Sequence, residues 1–238
     1  LKVLDSGLFH QTAARTDVVR GSLLQLFRTR ERSMRYLRSV LIGLPTWFVI
    51  GILVSFSREF AVHLGITEAI DPGRGILYAY AAISAGDILI GLFSQALKSR
   101  KKALYVFYAI TALGMLRFFT ASTANELYWA CGIMGFGTGF WALFVTVGAE
   151  NFGTNLRATA ATTIPNMVRG SLNLISALFL WLTAKAGYLE GGILTAVIVF
   201  AVTPWAAAGL AETFGRHLDF VEKACVPPRY RCLLAVCS

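Results

Sequence analysis

The chain has 238 residues, of which 56% are hydrophobic and 15% charged, and its mean hydropathy is +0.62. A soluble domain carries about a quarter charged residues, so this composition excludes an ordinary soluble fold and indicates a membrane protein. The formal net charge is +9. Nucleic-acid binding needs a basic face on a soluble domain with groove-reading or aromatic elements, and we expect no nucleic-acid partner.

Six apolar runs follow one another, each long enough to cross about 30 Å of hydrocarbon as a helix. They cover residues 39–57, 75–97, 103–121, 127–148, 158–184 and 191–211. The connections are short, so neighbouring helices are predicted to be antiparallel and packed together. The sequence therefore predicts an all-α membrane protein with three parts: a basic segment (1–38), a six-span bundle (39–213) and a tail (214–238).

The first 38 residues contain seven arginines and no long apolar core, so no signal peptide is visible. Leu1 is not an initiator methionine, and we expect a processed or truncated chain. Residues 18–38, VVRGSLLQLFRTRERSMRYLR, have two interpretations. They form either a solvated linker whose arginines fix the topology or an amphipathic basic helix along the membrane surface.

Lysine and arginine are distributed unevenly around the spans. Seventeen of the 22 lie before the first run, in the second and fourth connections, or in the tail. The other side carries three, namely Arg58, Arg74 and Lys185. By the positive-inside rule both termini are cytoplasmic. We expect an integral protein of the inner or plasma membrane, with the lipid bilayer as its surroundings.

The cysteines do not indicate a metal or redox site. Cys131 lies in the fourth run, and the tail cysteines Cys225, Cys232 and Cys237 do not have C-x-x-C spacing. We expect reduced thiols, with no metal and no cofactor.

Three ionisable residues fall inside the runs: Asp87, Arg117 and Arg169. Each charge in hydrocarbon costs several kcal/mol, so each is a candidate for a functional role. Arg117 lies near the outer end of its run and is expected to reach the interface. Asp87 and Arg169 lie near the midplane. They form either a structural ion pair or packing group, or a site for a substrate or coupling ion.

Glycines and prolines give further local expectations. Gly135 and Gly139 have the small-xxx-small spacing that lets helix backbones approach closely. The surrounding CGIMGFGTGFW follows no strand, which excludes a phosphate-binding loop. Prolines are expected to interrupt three spans and to free backbone carbonyls there: Pro45, Pro165 and Pro204. Because Pro165 precedes Arg169 by one turn, that part of the fifth run is expected to face protein or water.

Three stretches resemble transporters of the major facilitator superfamily. GDILIGLFSQALKSRKKAL is similar to the connection between their eighth and ninth helices, AENFGTNLRATAATTIPNMVRGS to the tenth-to-eleventh connection, and AETFGRHLDFVE to the end of the twelfth. The resemblance covers residues 20–223. It implies that the six spans are the C-terminal half of such a transporter, built as an inverted 3+3 helix repeat. Its partner would be a missing N-terminal six-helix half.

The function implied by the resemblance is secondary active transport of a small polar or anionic solute by alternating access, with proton coupling as one option. The candidates for substrate or coupling-ion contact are Asp87, Arg169, Asn166 and Asn173. The candidates for gating or loop motifs are Gly86, Gly91, Lys98, Arg100, Glu150 and Arg157. The alternative is a non-transporting membrane scaffold or receptor-like protein. An enzyme is not expected, because the histidines lie outside the runs and no HExxH or GxSxG motif is present.

Overall fold

The computed structural model describes residues 21–215 and 220–222. The beginning of the predicted basic segment and most of the tail, including Cys225, Cys232 and Cys237, lie outside the described residues. The described part of the chain is helical and contains no strand. Six helices are long and apolar enough to cross a membrane: Arg30–Val54, Pro72–Ala96, Arg100–Phe119, Ala124–Glu150, Thr154–Ala186 and Tyr188–Ala208. This confirms the predicted all-helical architecture with six potential spans.

Three of these spans are continuous α-helices and three are divided. The continuous ones are the second, third and sixth spans. The first span consists of α-helices Arg30–Leu41 and Leu44–Phe48 followed by a π-helix, Val49–Val54. The fourth consists of Ala124–Thr138 and Trp141–Glu150, and the fifth of Thr154–Gly170 and Leu172–Ala186. Two short helices, Leu23–Leu26 and Ser57–His63, flank the first span.

The first span begins at Arg30 rather than near residue 39. Thr29 caps it, because its hydroxyl accepts the N–H of Arg32 at 3.3 Å. The side chain of Arg32 is buried, and its Nε lies 2.9 Å from a carboxylate oxygen of Glu222. The later part of the predicted basic segment is therefore a helix packed against other parts of the chain and not a solvated linker. A hydropathy profile places the start of the first span too late, because it treats Arg32 as an exposed charge. It contains no information about Glu222, the partner with which Arg32 is buried.

Successive spans run in opposite directions, which gives the bundle two distinct ends. The end that holds Arg30, Arg100, Glu150 and Gly209 is called the basic end. At the opposite end, the hydroxyl of Tyr128 accepts the N–H of Asp71 at 2.9 Å, and a carboxylate oxygen of Glu68 accepts the N–H of Ala124 at 2.8 Å. The rings of His63 and Tyr188 stack there with centroids 4.7 Å apart. These contacts connect neighbouring spans outside the apolar middle.

The second and fourth spans pack backbone to backbone through glycines. A Cβ built on Gly139 would lie 2.7 Å from the Cα of Gly86, and one on Gly86 would lie 2.5 Å from the carbonyl oxygen of Phe136. A Cβ on Gly135 would overlap the backbone of Ala79. The close approach predicted from Gly135 and Gly139 is confirmed, and Gly86 on the second span completes it.

The six spans differ in burial in a regular way. In the most apolar 18 residues of each span, the buried share is 61% for the first and fourth, 17% for the second and fifth, and 44% for the third and sixth. The first and fourth spans therefore form the centre of the bundle. The second and fifth are open over most of their surface.

Only the first of the three prolines lies at a helix break. Pro45 follows the break at residues 42–43, where the freed carbonyl of Ile42 accepts the Tyr108 hydroxyl at 2.9 Å. Pro165 and Pro204 lie inside the helices Thr154–Gly170 and Tyr188–Ala208, so the expectation that they interrupt their spans is wrong. One missing N–H within a long helix is tolerated where neighbours compensate. The remaining breaks fall at residues 139–140 and at Ser171.

Candidate functional site

A cavity of about 190 Å³, the central cavity, lies where the first, second, fourth and fifth spans meet. Its walls combine two indole rings, one phenol, two aliphatic side chains, one hydroxyl and two opposite charges. The lining residues are Thr46, Trp47, Ile50, Tyr80, Ile83, Asp87, Trp141 and Arg169. The cavity therefore brings together Asp87 and Arg169, the two residues that the sequence places near the midplane.

Asp87 stabilises the break in the fourth span. The helix Trp141–Glu150 begins in the middle of that span, and the first N–H groups of a helix have no partner within it. Oδ1 of Asp87 accepts the N–H of Ala142 at 3.0 Å. A carboxylate at a helix N-terminus also interacts favourably with the helix dipole. Asp87 thus joins the second span to the interior end of a half-helix.

Arg169 lies against the indole of Trp47. Its guanidinium carbon is 5.3 Å from the centroid of that ring, within cation–π distance. The ring of Trp47 in turn meets Trp141 edge to face, with centroids 6.2 Å apart. Arg169 is in the last turn of the helix Thr154–Gly170, where a positive charge favours the helix C-terminus. The residue as a whole is exposed.

Asp87 and Arg169 share the central cavity but do not form an ion pair. The ion pairs within residues 21–215 and 220–222 all lie at the basic end: Arg32–Glu222, Arg35–Glu31, Arg35–Glu222 and Arg100–Glu150. The structural ion pair considered from the sequence is therefore not formed. Asp87 has a structural contact of another kind, with the N-terminus of a half-helix.

The fifth span carries an exposed line of polar side chains, the polar stripe, consisting of Thr162, Asn166, Arg169 and Asn173. Thr162, Asn166 and Arg169 are three or four residues apart on one face of the helix Thr154–Gly170, and Asn173 follows four residues later, in the helix after the break at Ser171. The amide of Asn166 donates to the carbonyl of Thr162 at 2.8 Å. Asn166 and Asn173 are not among the lining residues of the central cavity, and they extend the polar surface along the helix on both sides of Arg169.

A smaller cavity of about 140 Å³, the side cavity, lies between the second and fourth spans. Asp87 lines it as well, so the carboxylate forms a wall common to both cavities. Gly91 borders the side cavity, and a Cβ built there would meet no atom within 4 Å. The cavity reaches Arg100 at the basic end. It therefore connects the middle of the bundle with that end.

Two of the predicted gating residues meet at the basic end. Nη2 of Arg100, at the start of the third span, lies 2.7 Å from Oε1 of Glu150, at the end of the fourth. The exposed fractions of these side chains are 20% and 9%. This ion pair fixes the ends of two neighbouring spans to each other.

Glu212, which follows the sixth span, caps the third span. Its carboxylate accepts the hydroxyl of Ser99 at 2.5 Å and the N–H groups of Arg100 and Lys101 at 3.1 and 3.2 Å. Partial burial alone would raise the pKa of Glu212. The hydrogen bonds from Ser99, Phe214, Arg100 and Lys101 outweigh this effect and lower the pKa below the ordinary value of a glutamate.

Besides Gly91, which borders the side cavity, three gating candidates remain, and they have separate environments. Gly86 is part of the glycine contact between the second and fourth spans. Lys98, two residues after the last residue of the second span, has φ +48°, a left-handed conformation that is unusual for a residue with a side chain. Arg157 is half-buried in the first turn of the fifth span. Arg100 and Glu150 therefore form an ion pair, and these three residues are not part of it.

Sequence reasoning missed Trp47, Trp141 and Glu212. The tryptophans carry no charge, and in an apolar run they are indistinguishable from residues that pack or face lipid. Glu212 lies just after a span in a stretch with other acidic residues, and its role depends on the start of the third span, which is distant in sequence. A search for aromatic residues at the same depth as the intramembrane charges would have selected both tryptophans.

No known family of proteins matches the chain when it is compared with family models, and comparison with curated proteins found no match. The geometry of the central cavity, the polar stripe and the basic end is therefore the basis for the functional proposal.

Proposed function

We propose that this chain is one six-helix half of a secondary active transporter of the major facilitator type. In this proposal it moves a small polar solute by alternating access through a cleft that a second six-helix unit completes. The central cavity is the part of the solute site that this half contributes, and the basic end faces the cytoplasm.

The observation that carries the proposal is the exposure of polar groups at membrane depth on the fifth span. A guanidinium in contact with hydrocarbon is costly, and intramembrane charges therefore face protein or a water-filled cavity. Arg169, Asn166 and Asn173 are all exposed on one face. A water-filled cleft covered by a second unit satisfies that face, whereas contact with lipid does not.

The pattern of burial supports an internal repeat. Buried shares of 61%, 17% and 44% occur in the first three spans and again, in the same order, in the last three. The residues that line the central cavity also come from corresponding spans of the two halves of the repeat. Trp47 and Trp141 come from the first and fourth spans, and Asp87 and Arg169 from the second and fifth. Inverted repeats with a site at their interface are characteristic of secondary transporters.

The two cavities support a coupling role for Asp87. The residue borders both the central cavity and the side cavity, which reaches towards Arg100. Its carboxylate also holds the N-terminus of the half-helix Trp141–Glu150. Protonation of Asp87 would remove the charge that favours this contact. A proton arriving through the side cavity would thus change the helix that forms part of the solute site.

The orientation follows from the basic residues. Lys98, Arg100, Lys101 and Lys102 lie at the basic end, together with the arginines of the first span. The positive-inside rule assigns this end to the cytoplasmic side of the inner or plasma membrane.

Cysteine labelling tests alternating access without knowledge of the solute. In a chain whose native cysteines are replaced by serine, Asn166→Cys is exposed to a membrane-impermeant thiol reagent in sealed right-side-out and inside-out vesicles. We expect labelling from both sides, because the stripe opens alternately to each. Met167→Cys is the matched control, since it lies at the same depth on the apolar side and should remain unlabelled. Gly73→Cys and Lys102→Cys should each react from one side only, outer and cytoplasmic respectively.

Glutathione trapped inside the vesicles reports whether the membrane stays sealed. If the trapped glutathione also reacts, the protein forms an open pore and is not a transporter. Labelling of Asn166→Cys from one side, or from neither, favours the alternative of a membrane scaffold or receptor-like protein. Reversed labelling of Gly73→Cys and Lys102→Cys would overturn the proposed orientation.

A further inference from the structure

We propose that the central cavity binds an amphoteric solute of about the size of one amino acid, with a carboxylate held by Arg169 and an ammonium group held by Asp87. This inference rests on the proposed transport function and specifies its substrate class. It is carried by the arrangement of the two charges and by the aromatic walls between them.

The two charges are opposite, line the same cavity and are not paired with each other. Both border a space of about 190 Å³, yet neither takes part in the ion pairs of the described residues. A solute with only a negative charge would be attracted by Arg169 and repelled by Asp87. A solute with only a positive charge would be attracted by Asp87 and repelled by Arg169. Only a solute with both charges pairs each group in an environment of low dielectric.

The contact of Arg169 with Trp47 leaves the guanidinium able to bind a carboxylate. The guanidinium carbon lies 5.3 Å from the centre of the indole, and this cation–π contact uses the charge of the group and not its N–H donors. A guanidinium has five such donors in a planar fork that matches a carboxylate in bidentate binding. Within the described part of the chain the side chain of Arg169 takes part in no ion pair, so these donors are available to a solute.

Asp87 is fixed in a similar way by the half-helix. Its contact with the N–H of Ala142 at 3.0 Å orients the carboxylate, while the residue remains only half-buried and borders the cavity. A carboxylate accepts several hydrogen bonds, so one contact to the backbone does not exhaust it. The ammonium group of a solute can donate to the same carboxylate.

The remaining walls define the uncharged part of the solute. Trp141, Tyr80, Ile50 and Ile83 present rings and aliphatic groups to the cavity. Such walls bind an apolar and preferably flat group. The volume of about 190 Å³ lies below the roughly 300–1,000 Å³ of pockets for drug-sized ligands, which limits the solute to a small molecule.

Three probes that differ only in their charged groups test this inference. Phenylalanine carries both groups, 3-phenylpropionate only the carboxylate, and phenethylamine only the ammonium. Binding of each to the full chain in lipid nanodiscs is measured at equilibrium by titration calorimetry, with the fluorescence of the tryptophans as a second readout. We expect phenylalanine to bind about tenfold more tightly than either single-charge probe.

Two variants test which residue binds the carboxylate of the probe and which binds its ammonium group. Arg169→Gln should remove the advantage of phenylalanine over phenethylamine, and Asp87→Asn its advantage over 3-phenylpropionate. Arg117→Gln is the matched control, since Arg117 is an arginine within a span that does not line the cavity, and it should change none of the affinities. If Asp87→Asn, which weakens a helix cap, is not recovered in folded form, the three probes on the unaltered chain decide the question by themselves.

Equal affinity for phenylalanine and 3-phenylpropionate would show an anion site and overturn the inference, as would the absence of saturable binding of all three probes. Neither result bears on the labelling of Asn166→Cys from both sides, which needs no solute. The proposed substrate class can therefore be refuted without refuting the proposed transport function, and the reverse is also true.

Discussion

The basic end and the central cavity both hold charged side chains within the bundle, and they use them in opposite ways. At the basic end, Arg100 and Glu150 lie 2.7 Å apart and are largely buried. In the central cavity, Asp87 and Arg169 face a common space without pairing. Paired charges hold helices together, whereas charges held apart by other contacts remain free to bind a solute.

The difference lies in what fixes each charge. At the basic end, each partner of the ion pair is the main counter-charge of the other, so removal of one leaves a buried charge without compensation. In the central cavity, Arg169 is held by the ring of Trp47 and Asp87 by the N–H of Ala142. Each therefore has its own support, and the two should be nearly independent in their effect on stability.

The largest effect is expected from Glu150→Gln. It leaves Arg100 without its counter-charge, and we expect a loss of about 3 kcal/mol in the free energy of unfolding. The loss is measured by unfolding the protein in detergent micelles through titration with SDS. Adding Arg100→Gln should restore part of the stability, because the uncompensated charge is then gone. Glu190→Gln, at an exposed position near the opposite end, should change stability by less than about 0.5 kcal/mol. An equally small change for Glu150→Gln would mean that the ion pair does not hold the spans together.

A smaller effect, of about 1 kcal/mol, is expected from Glu212→Gln, because the exposed carboxylate caps the third span in partial contact with solvent. The pKa of Glu212 is lowered in the folded protein. Its stabilising contribution is therefore complete above the ordinary pKa of a glutamate and is lost as the pH falls through the lowered value. Melting temperatures of both proteins between neutral and acidic pH should converge at the acidic end. A constant difference across that range would contradict the capping role.

Lys98→Gly should stabilise the protein by about 0.5–1 kcal/mol. The left-handed backbone at φ +48° is costly for a residue with a Cβ and is free of strain for glycine, although glycine loses more entropy on folding. Thermal unfolding of the variant measures the gain. Lys102→Gly provides a control of opposite sign, since Lys102 lies in a helix where glycine destabilises. A loss of stability for both variants would show that the side chain of Lys98 has a role of its own.

The smallest effect concerns the coupling of Asp87 and Arg169. A double-mutant cycle with Asp87→Asn and Arg169→Gln should give an interaction energy below about 0.5 kcal/mol, whereas the cycle with Arg100→Gln and Glu150→Gln should exceed about 2 kcal/mol. Unfolding free energies of the single and double variants provide both values. A coupling at the cavity as large as that at the basic end would contradict the proposed separation of the two charges.

The sequence by itself predicted the number of long apolar helices, their alternating direction and the position of Asp87 and Arg169 near the middle of two of them. These properties depend on local hydropathy and on position along a helix, and both are visible in a run of about 20 residues. It also predicted the close contact at Gly135 and Gly139, because two small residues one turn apart leave a groove in any helix. The place where the first span begins was less predictable, because Arg32 is buried by Glu222, which is distant in sequence.

Only the tertiary structure decided which partners the charges have. The rotation of each span about its axis, and the way in which spans cross, set whether Asp87 meets Arg169 or the backbone of Ala142. Neither quantity is encoded in hydropathy. The same holds for Trp47 and Trp141, which become the walls of one cavity because the first and fourth spans lie side by side at the centre of the bundle. Depth in the membrane is a property of one helix, whereas a binding site is a property of how four helices pack.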